Sequence, residues 1–238
     1  MNKIGVQSWC FREFKPLDKL IEKLKECKFS NVELCGVHAD FKKPESVNVI
    51  KQLKDAGIKI SSIGVENFKG APEEEQVFKF AKEAGCDYIA ANFPIEGHVE
   101  ALKKTSVLAD KYQMNLGIHN HGGGHWLGSR QALAYVFGIS SKRIGLCLDT
   151  AWALDAGQDP LKLSTDFYER LYGLHLKDFI FDKKGNPEDV VLGTGVLELK
   201  ALLDFLKGKN FNGPLTIEYE GEAANPSASL MKCAANIK

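Results

Sequence analysis

The chain has 238 residues, 44% of them hydrophobic and 26% charged, with 22 Gly and 8 Pro, a composition that suits a globular protein and excludes a disordered or collagen-like one. Thirty-one basic residues balance thirty-one acidic ones, so no net field is available to attract nucleic acid or an anionic membrane surface. No apolar run approaches the roughly 20 residues that span a bilayer, and six scattered cysteines with no C-x-x-C pair read as core residues in a reducing compartment rather than a disulfide framework.

Short apolar runs alternate with stretches of helical period from end to end. The first run begins almost at once, which leaves no room for a signal peptide and points to the cytoplasm. Strands are expected over residues 4–9, 31–36, 59–66, 88–93, 115–121, 144–149, 171–177 and 215–220. Helices are expected over 16–27, 44–56, 72–84, 99–112, 130–137 and 197–206, with a last one after Asn225-Pro226. Pro16, Pro44, Pro72 and Pro226 stand where a first helical turn tolerates a missing N–H. Basic residues followed by a turn residue close several helices, as in Lys54-Asp-Ala-Gly-Ile and Lys82-Glu-Ala-Gly-Cys. Strict alternation implies parallel strands joined by crossovers, and eight units in about 250 residues match an α/β fold of the (β/α)8 TIM barrel type. One such domain would occupy residues 1–238. An open doubly wound sheet is disfavoured, because no G-x-G-x-x-G follows the first strand.

In a parallel barrel the C-terminal strand ends converge on one mouth, and alternate residues of a strand share a face. The fifth strand ends in His119-Asn-His121, followed by Gly122–Gly124 and His125-Trp126; the sixth ends in Asp149, the seventh in His175-Leu-Lys177, and the eighth in Glu218-Tyr-Glu220. Four consecutive strands thus bring imidazoles and carboxylates to one rim. His119, Asp149, His175 and Glu218 form the nearest set for a divalent ion, with His121 an alternative to His119. Mixed nitrogen and carboxylate donors suit Mn, Co or Zn better than Mg. Taken singly these residues also have ordinary readings: Asp149 as a helix cap, a lone His as a hydrogen-bonded core residue, and Lys177 as a solvated strand-end charge.

Around that set, Gln7 and Trp9 end the first strand, and Glu33 and Glu66 end the second and third. With His125 and Trp126 they are the candidate substrate contacts. Trp9 could instead fill the barrel, Trp126 and Trp152 could stack on a sugar or pack between helices, and the two glutamates could pair with lysines or backbone groups. The three glycines suggest a backbone that passes close to something or flexes. Gly193-Thr-Gly195 follows a polar excursion over 182–189 that reads as a lid or a plain turn.

The combination of Val32-Glu33-Leu34, Ile118-His-Asn-His, Leu148-Asp149-Thr150, His175-Leu-Lys177-Asp178, Gly193-Thr-Gly195 and Ile217-Glu218-Tyr-Glu220 resembles the xylose isomerase-like TIM barrels known as sugar phosphate isomerases/epimerases. The resemblance covers essentially the whole chain. It implies a metal held by His119, Asp149, His175 and Glu218, a small sugar-like substrate, and a barrel that often forms a homodimer. Many relatives carry Glu where this chain has His119, and in the epimerases that Glu is also an acid/base. His119 therefore departs from a two-glutamate mechanism. The implied activity is isomerase or epimerase chemistry, in which the ion stabilises an enediolate formed when a base removes a proton beside a carbonyl. Lys177 would neutralise the oxyanion, and Glu220, Glu33 and His121 are the candidate bases. A dehydratase that expels a β-hydroxyl is the second expectation, and a sugar-binding barrel without chemistry is the third. A nuclease of the same superfamily is disfavoured by the neutral charge and the few histidines.

Overall fold

Each apolar run forms a strand in the computed structural model, which describes residues 4–237. The strands are β1 (Ile4–Gln7), β2 (Asn31–Leu34), β3 (Lys59–Asn67), β4 (Tyr88–Asn92), β5 (Asn115–His119), β6 (Ile144–Asp149) and β7 (Leu171–Leu176), then β8 (Asp178–Phe181) and β9 (Pro187–Val190), then β10 (Leu215–Ile217). β1 to β7 and β10 pair in parallel around a closed ring, with β10 between β7 and β1. β8 and β9 form a separate antiparallel hairpin. The fold is therefore the expected eight-stranded TIM barrel; the expected domain ends at residues 1 and 238 lie outside the described residues.

Burial on both faces explains the uninterrupted apolar character of the strands. All six residues of β6 are buried, for example. The outer helices are α1 (Leu17–Glu26), α2 (Val47–Asp55), α3 (Glu74–Ala84), α4 (His98–Tyr112), α5 (Arg130–Ile139), α6 (Thr150–Asp155), α7 (Pro160–Asp166), α8 (Leu199–Gly208) and α9 (Ser227–Asn236). Their apolar stripes, such as Leu20 and Leu24 of α1 or Leu199, Leu202, Leu203 and Leu206 of α8, cover the barrel. Inside it, Gly173 makes room for Tyr88: a β-carbon there would lie 2.4 Å from the ring.

Several strands end earlier than the apolar pattern suggests, because side chains turn the backbone out of the ladder. The Gln7 side-chain oxygen accepts the Trp9 N–H at 3.2 Å, and Ser8–Phe11 becomes a 3-10 turn. β5 stops at His119, where Asn120 exchanges two hydrogen bonds with the backbone of Asp149, of 3.0 and 2.9 Å. His121, Lys177, Glu218 and Glu220 consequently stand on loops just beyond the strands. Two helices lie outside the expected ranges: α6, which Asp149 caps as one reading of that residue has it, and α7, capped by Asp159 ahead of Pro160. The polar excursion after β7 is the β8–β9 hairpin, its turn fixed by Asp182, which accepts the N–H groups of Lys184 and Asn186. Among the described residues no helix is long and apolar enough to cross a membrane, and all six cysteines are free.

Candidate active site

Asp149 is both a helix cap and a member of the candidate cluster. Its Oδ1 accepts the Trp152 N–H at 2.8 Å to start α6, while its buried Oδ2 makes no hydrogen bond and faces His119 Nε2 at 3.4 Å. From the neighbouring strand ends come His175 and Glu218, with His175 Nδ1 2.6 Å from Glu218 Oε2. His119 Nε2 lies 3.8 Å from the same oxygen. One donor atom from each of His119, Asp149, His175 and Glu218 lies within 4.8 Å of the others.

Proximity here is not hydrogen bonding. Both nitrogens of His119, Asp149 Oδ2 and His175 Nδ1 are buried without a hydrogen-bond partner, although buried polar atoms are almost always paired. Lone pairs that converge on a shared point without bonding one another fit a cation among them. Two imidazoles and two carboxylates are also the donor chemistry of a divalent transition ion. The charges agree. Burial would lower the pKa of His175, yet Cys147, Glu33 and Glu218 push it well above the ordinary histidine value. Burial and His175 would lower that of His119, and Asp149 and Glu218 outweigh them. Burial would raise Glu218, but Lys177 and His175 hold it well below the carboxylate range. The cluster favours positive charge at its centre.

Glu33 lies below this cluster rather than in the pocket. It is fully buried, and its carboxylate accepts from Gln7 Nε2 (2.7 Å), Ser62 Oγ (2.6 Å) and Tyr88 Oη (2.9 Å) and meets His175 Nε2 at 2.8 Å. Four partners leave it no free lone pair to offer a substrate. Nothing in the linear order of residues signals the contributions of Ser62, Tyr88 and Asn120, which depend on barrel closure.

Above the cluster opens a pocket of about 400 Å³, lined by Gln7, Trp9, Cys35, Gly36, Val37, Gly64, Val65, His119, His121, Trp152, Glu218 and Glu220. His121 packs its ring 4.6 Å from His119 and 4.9 Å from His125, and its buried Nδ1 has no hydrogen-bond partner. Burial, with His119 and His125 beside it, pushes the His121 pKa down to about 4, so the imidazole is neutral at pH 7. Glu220 is steadied by Trp9 Nε1 at 3.0 Å and by the Lys177 ammonium.

Other expected contacts stand apart. Lys177 does not line the pocket: its ammonium is 1% exposed, between Glu218 (3.2 Å), Asp189 (3.4 Å) and Glu220. Asp189, which the hairpin delivers, went unread; burial pushes its carboxyl up to about 7 against the pull of Lys177. Trp126 gives its indole N–H to the Phe93 carbonyl at 2.8 Å and packs on His98, so it is part of the wall behind the mouth. Trp152 is the tryptophan of this region that faces the pocket. His125 accepts the Leu127 N–H, and Glu66 sits beside Gly36, half-buried, without lining the pocket.

A family model for the xylose isomerase-like TIM barrel matches residues 21–235. The chain belongs to that family. A curated member-like relative, 3-oxo-isoapionate decarboxylase of Pectobacterium atrosepticum, is 27% identical over 115 residues, a match spanning 46% of this chain and 41% of the relative. The chain thus matches less than half the length of that protein. Among solved structures, 3-keto-D-glucoside 4-epimerase of E. coli superposes with a TM-score of 0.72 at 16% identity, over 99% of this chain and 98% of the other. The IOLI protein with a bound zinc atom gives 0.76 at 16% identity, over 99% and 96%. At such identities these two likenesses show the shared fold.

Proposed function

We propose that the protein is a divalent-metal-dependent isomerase or epimerase of a sugar-like substrate. The reading is carried by one observation: donors of His119, Asp149, His175 and Glu218 cluster within 4.8 Å, those of the first three include buried atoms without hydrogen-bond partners, and His119 and Glu218 line a pocket together with the His121 imidazole and the Glu220 carboxylate. The zinc in the IOLI structure and the epimerase of the same fold lend it support. His119, Asp149, His175 and Glu218 would hold the ion. A bound divalent ion would supply Lewis-acid polarisation of a carbonyl and stabilise the negative charge that develops on an enediolate.

The chain's own residues account for the rest. His121, whose ring lines the pocket, takes the proton from the carbon beside the carbonyl. Glu220, oriented by Trp9 and Lys177, faces the same volume and exchanges a proton with a substrate hydroxyl or with the opposite face of the carbon. Return of the proton to the other face inverts the centre; its return to the neighbouring carbon moves the carbonyl. Trp9 and Trp152 offer apolar surfaces for a sugar ring. Glu33 keeps His175 in one orientation, and Asn120 ties the end of β5 to Asp149.

The test is incubation of the Mn-, Co- or Zn-loaded protein with ketoses, their phosphates and 3-keto-glycosides in D₂O. Deuterium entering a carbon next to the carbonyl, in a product that is otherwise an isomer of the substrate, is the expected result. The decarboxylase relative favours a second reading, a lyase: abstraction of the proton beside the carbonyl would expel a β-hydroxyl as water, or cleavage of the carbon–carbon bond to a β-keto carboxylate would release carbon dioxide and leave an enolate that takes up a proton. Loss of either from the substrate would decide for it, and no exchange with any substrate would sink both.

A further inference from the structure

We infer that the pocket accepts an uncharged keto-sugar or glycoside and turns phosphorylated sugars away; the word sugar rests on the function just proposed, whereas the exclusion of phosphate rests on the loops of the mouth. A phosphate group carries nearly two negative charges at neutral pH and is held by backbone N–H nests, helix starts or cations. TIM barrels that bind phosphate commonly do so with loops after the seventh and eighth strands. Two glycine-rich loops stand near this mouth, and each already has a carboxylate of the protein against it.

In the loop after β9, backbone donors do converge as in an anion nest. Gly193 and Gly195 both donate to Asp178 Oδ2 at 2.9 Å, and Leu197 donates to Asp178 Oδ1 at 3.0 Å. Asp178 is fully buried, and a β-carbon on Gly195 would lie 2.4 Å from its Oδ1. The nest is filled from within. In the loop after β5, a β-carbon on Gly122 would lie 2.0 Å from Asp155 Oδ2. The triple glycine thus admits a carboxylate close to its backbone, and that carboxylate repels an anion approaching the same loop.

Among the described residues no Lys or Arg lines the pocket, whereas Glu218 and Glu220 do. Lys177 is consumed by Glu218, Glu220 and Asp189. Arg12 donates to the carbonyls of Trp9 and Glu220 and lies over the Trp9 ring at 5.5 Å. What the walls offer a ligand is two indoles, an imidazole, an amide and carboxylates, which suits hydroxyl groups and a ring face. A divalent ion at the floor would attract any anion, so discrimination has to be measured with the ion in place.

Calorimetric titration of the metal-loaded protein with matched pairs provides the test: D-fructose against D-fructose 6-phosphate, and a methyl 3-keto-glucoside against its 6-phosphate, with inorganic phosphate as competitor. A neutral member should bind about tenfold or more tightly than its phosphorylated partner, and excess inorganic phosphate should leave that binding unchanged. Equal or tighter binding of a phosphorylated member, displacement by inorganic phosphate, or failure of every neutral member to bind overturns the inference. Deuterium exchange measured on the same pairs separates it from the proposed function. A neutral sugar that binds without exchange defeats the isomerase reading and leaves this one standing; a phosphorylated sugar that exchanges does the reverse.

Discussion

Glu33 Oε1 lies 2.8 Å from His175 Nε2, on the opposite side of the ring from Glu218, so the imidazole is held between two carboxylates. Burial would raise the Glu33 pKa, but the His175 charge and the hydrogen bonds from His175, Ser62 and Tyr88 keep it lowered. Such a partner fixes the tautomer and aim of a metal-binding histidine, and its loss typically costs 10–100-fold in metal affinity. Glu33→Gln should therefore fold, keep its pocket and bind Mn or Zn about 10–100-fold more weakly in a competition titration. Wild-type affinity in this variant would remove Glu33 from any role in holding the ion.

Removing an anionic donor should have a larger effect. Asp149→Ala and Glu218→Ala each delete a bond to the ion and a charge that offsets it. Both should emerge from purification without stoichiometric metal. The wild type should gain melting temperature on adding metal at about 100 times Kd, worth about 2.7 kcal/mol, or roughly 5–10 °C for a domain of this size. The two variants should gain almost none. Full metal content in both would place the ion elsewhere.

The two tryptophans after β5 and β6 should separate cleanly. Trp126 spends its indole N–H on Phe93 and packs partly buried against the core, so Trp126→Ala should lower stability by about 3 kcal/mol with little change in KM. Trp152 lines the pocket, so Trp152→Ala should raise KM at nearly unchanged melting temperature. Paired melting and kinetic measurements decide, and a reversed pattern would exchange their roles.

His38 gives a pH-dependent signature away from the His119, Asp149, His175 and Glu218 cluster. Burial lowers its pKa, against the Phe14 and Phe11 carbonyls; its Nε2 faces the Phe14 carbonyl at 3.2 Å and its Nδ1 faces Ser8 Oγ at 3.2 Å. Because the unfolded chain binds the proton more readily, stability is complete above the unfolded value of about 6.5 and falls as the pH drops from there toward the lower folded value. The stability advantage of wild type over His38→Gln should shrink as the pH is lowered from 8 to 5. A gap that widens toward acid would mean that His38 is protonated in the fold.

The barrel and the four-residue cluster at its mouth were legible in the sequence because each depends on a local pattern repeated many times. Apolar runs of strand length recur between amphipathic stretches, and His119, Asp149, His175 and Glu218 all fall at the ends of such runs. The residues that serve through long-range closure were not. Glu33 meets His175 from 142 positions away across the barrel interior, and its side chain looks like any rim glutamate until β2 and β7 share that interior. Asp189 reaches Lys177 only because the 178–190 segment folds back as a hairpin, which its polar composition does not announce. The choice between Trp126 and Trp152 depends on where two loops turn. Asp159-Pro160, by contrast, was a readable cap and first turn for α7.

His121 is the residue on which the proposed chemistry most depends. It stands beyond the end of β5, ring to ring with His119, where Asn120 pins the strand end to Asp149. Its Nδ1 is buried without a hydrogen-bond partner, and its ring lines the pocket, so the imidazole borders the volume where substrate must lie. His121→Ala removes that base without touching a carboxylate donor or the Glu33–His175 pair. Metal content and the metal-dependent rise in melting temperature should therefore stay close to wild type. The rate of deuterium exchange into substrate should fall at least ~100-fold, with KM changed much less, because proton transfer is felt mainly in the transition state. If His121 were itself a metal donor in place of His119, the variant would lose metal in step with activity. If it only packed against His119 and His125, melting temperature would drop while turnover per folded molecule held. Full exchange by a metal-replete His121→Ala protein would transfer the role of base to Glu220, whose own substitution to Gln would then have to abolish the reaction.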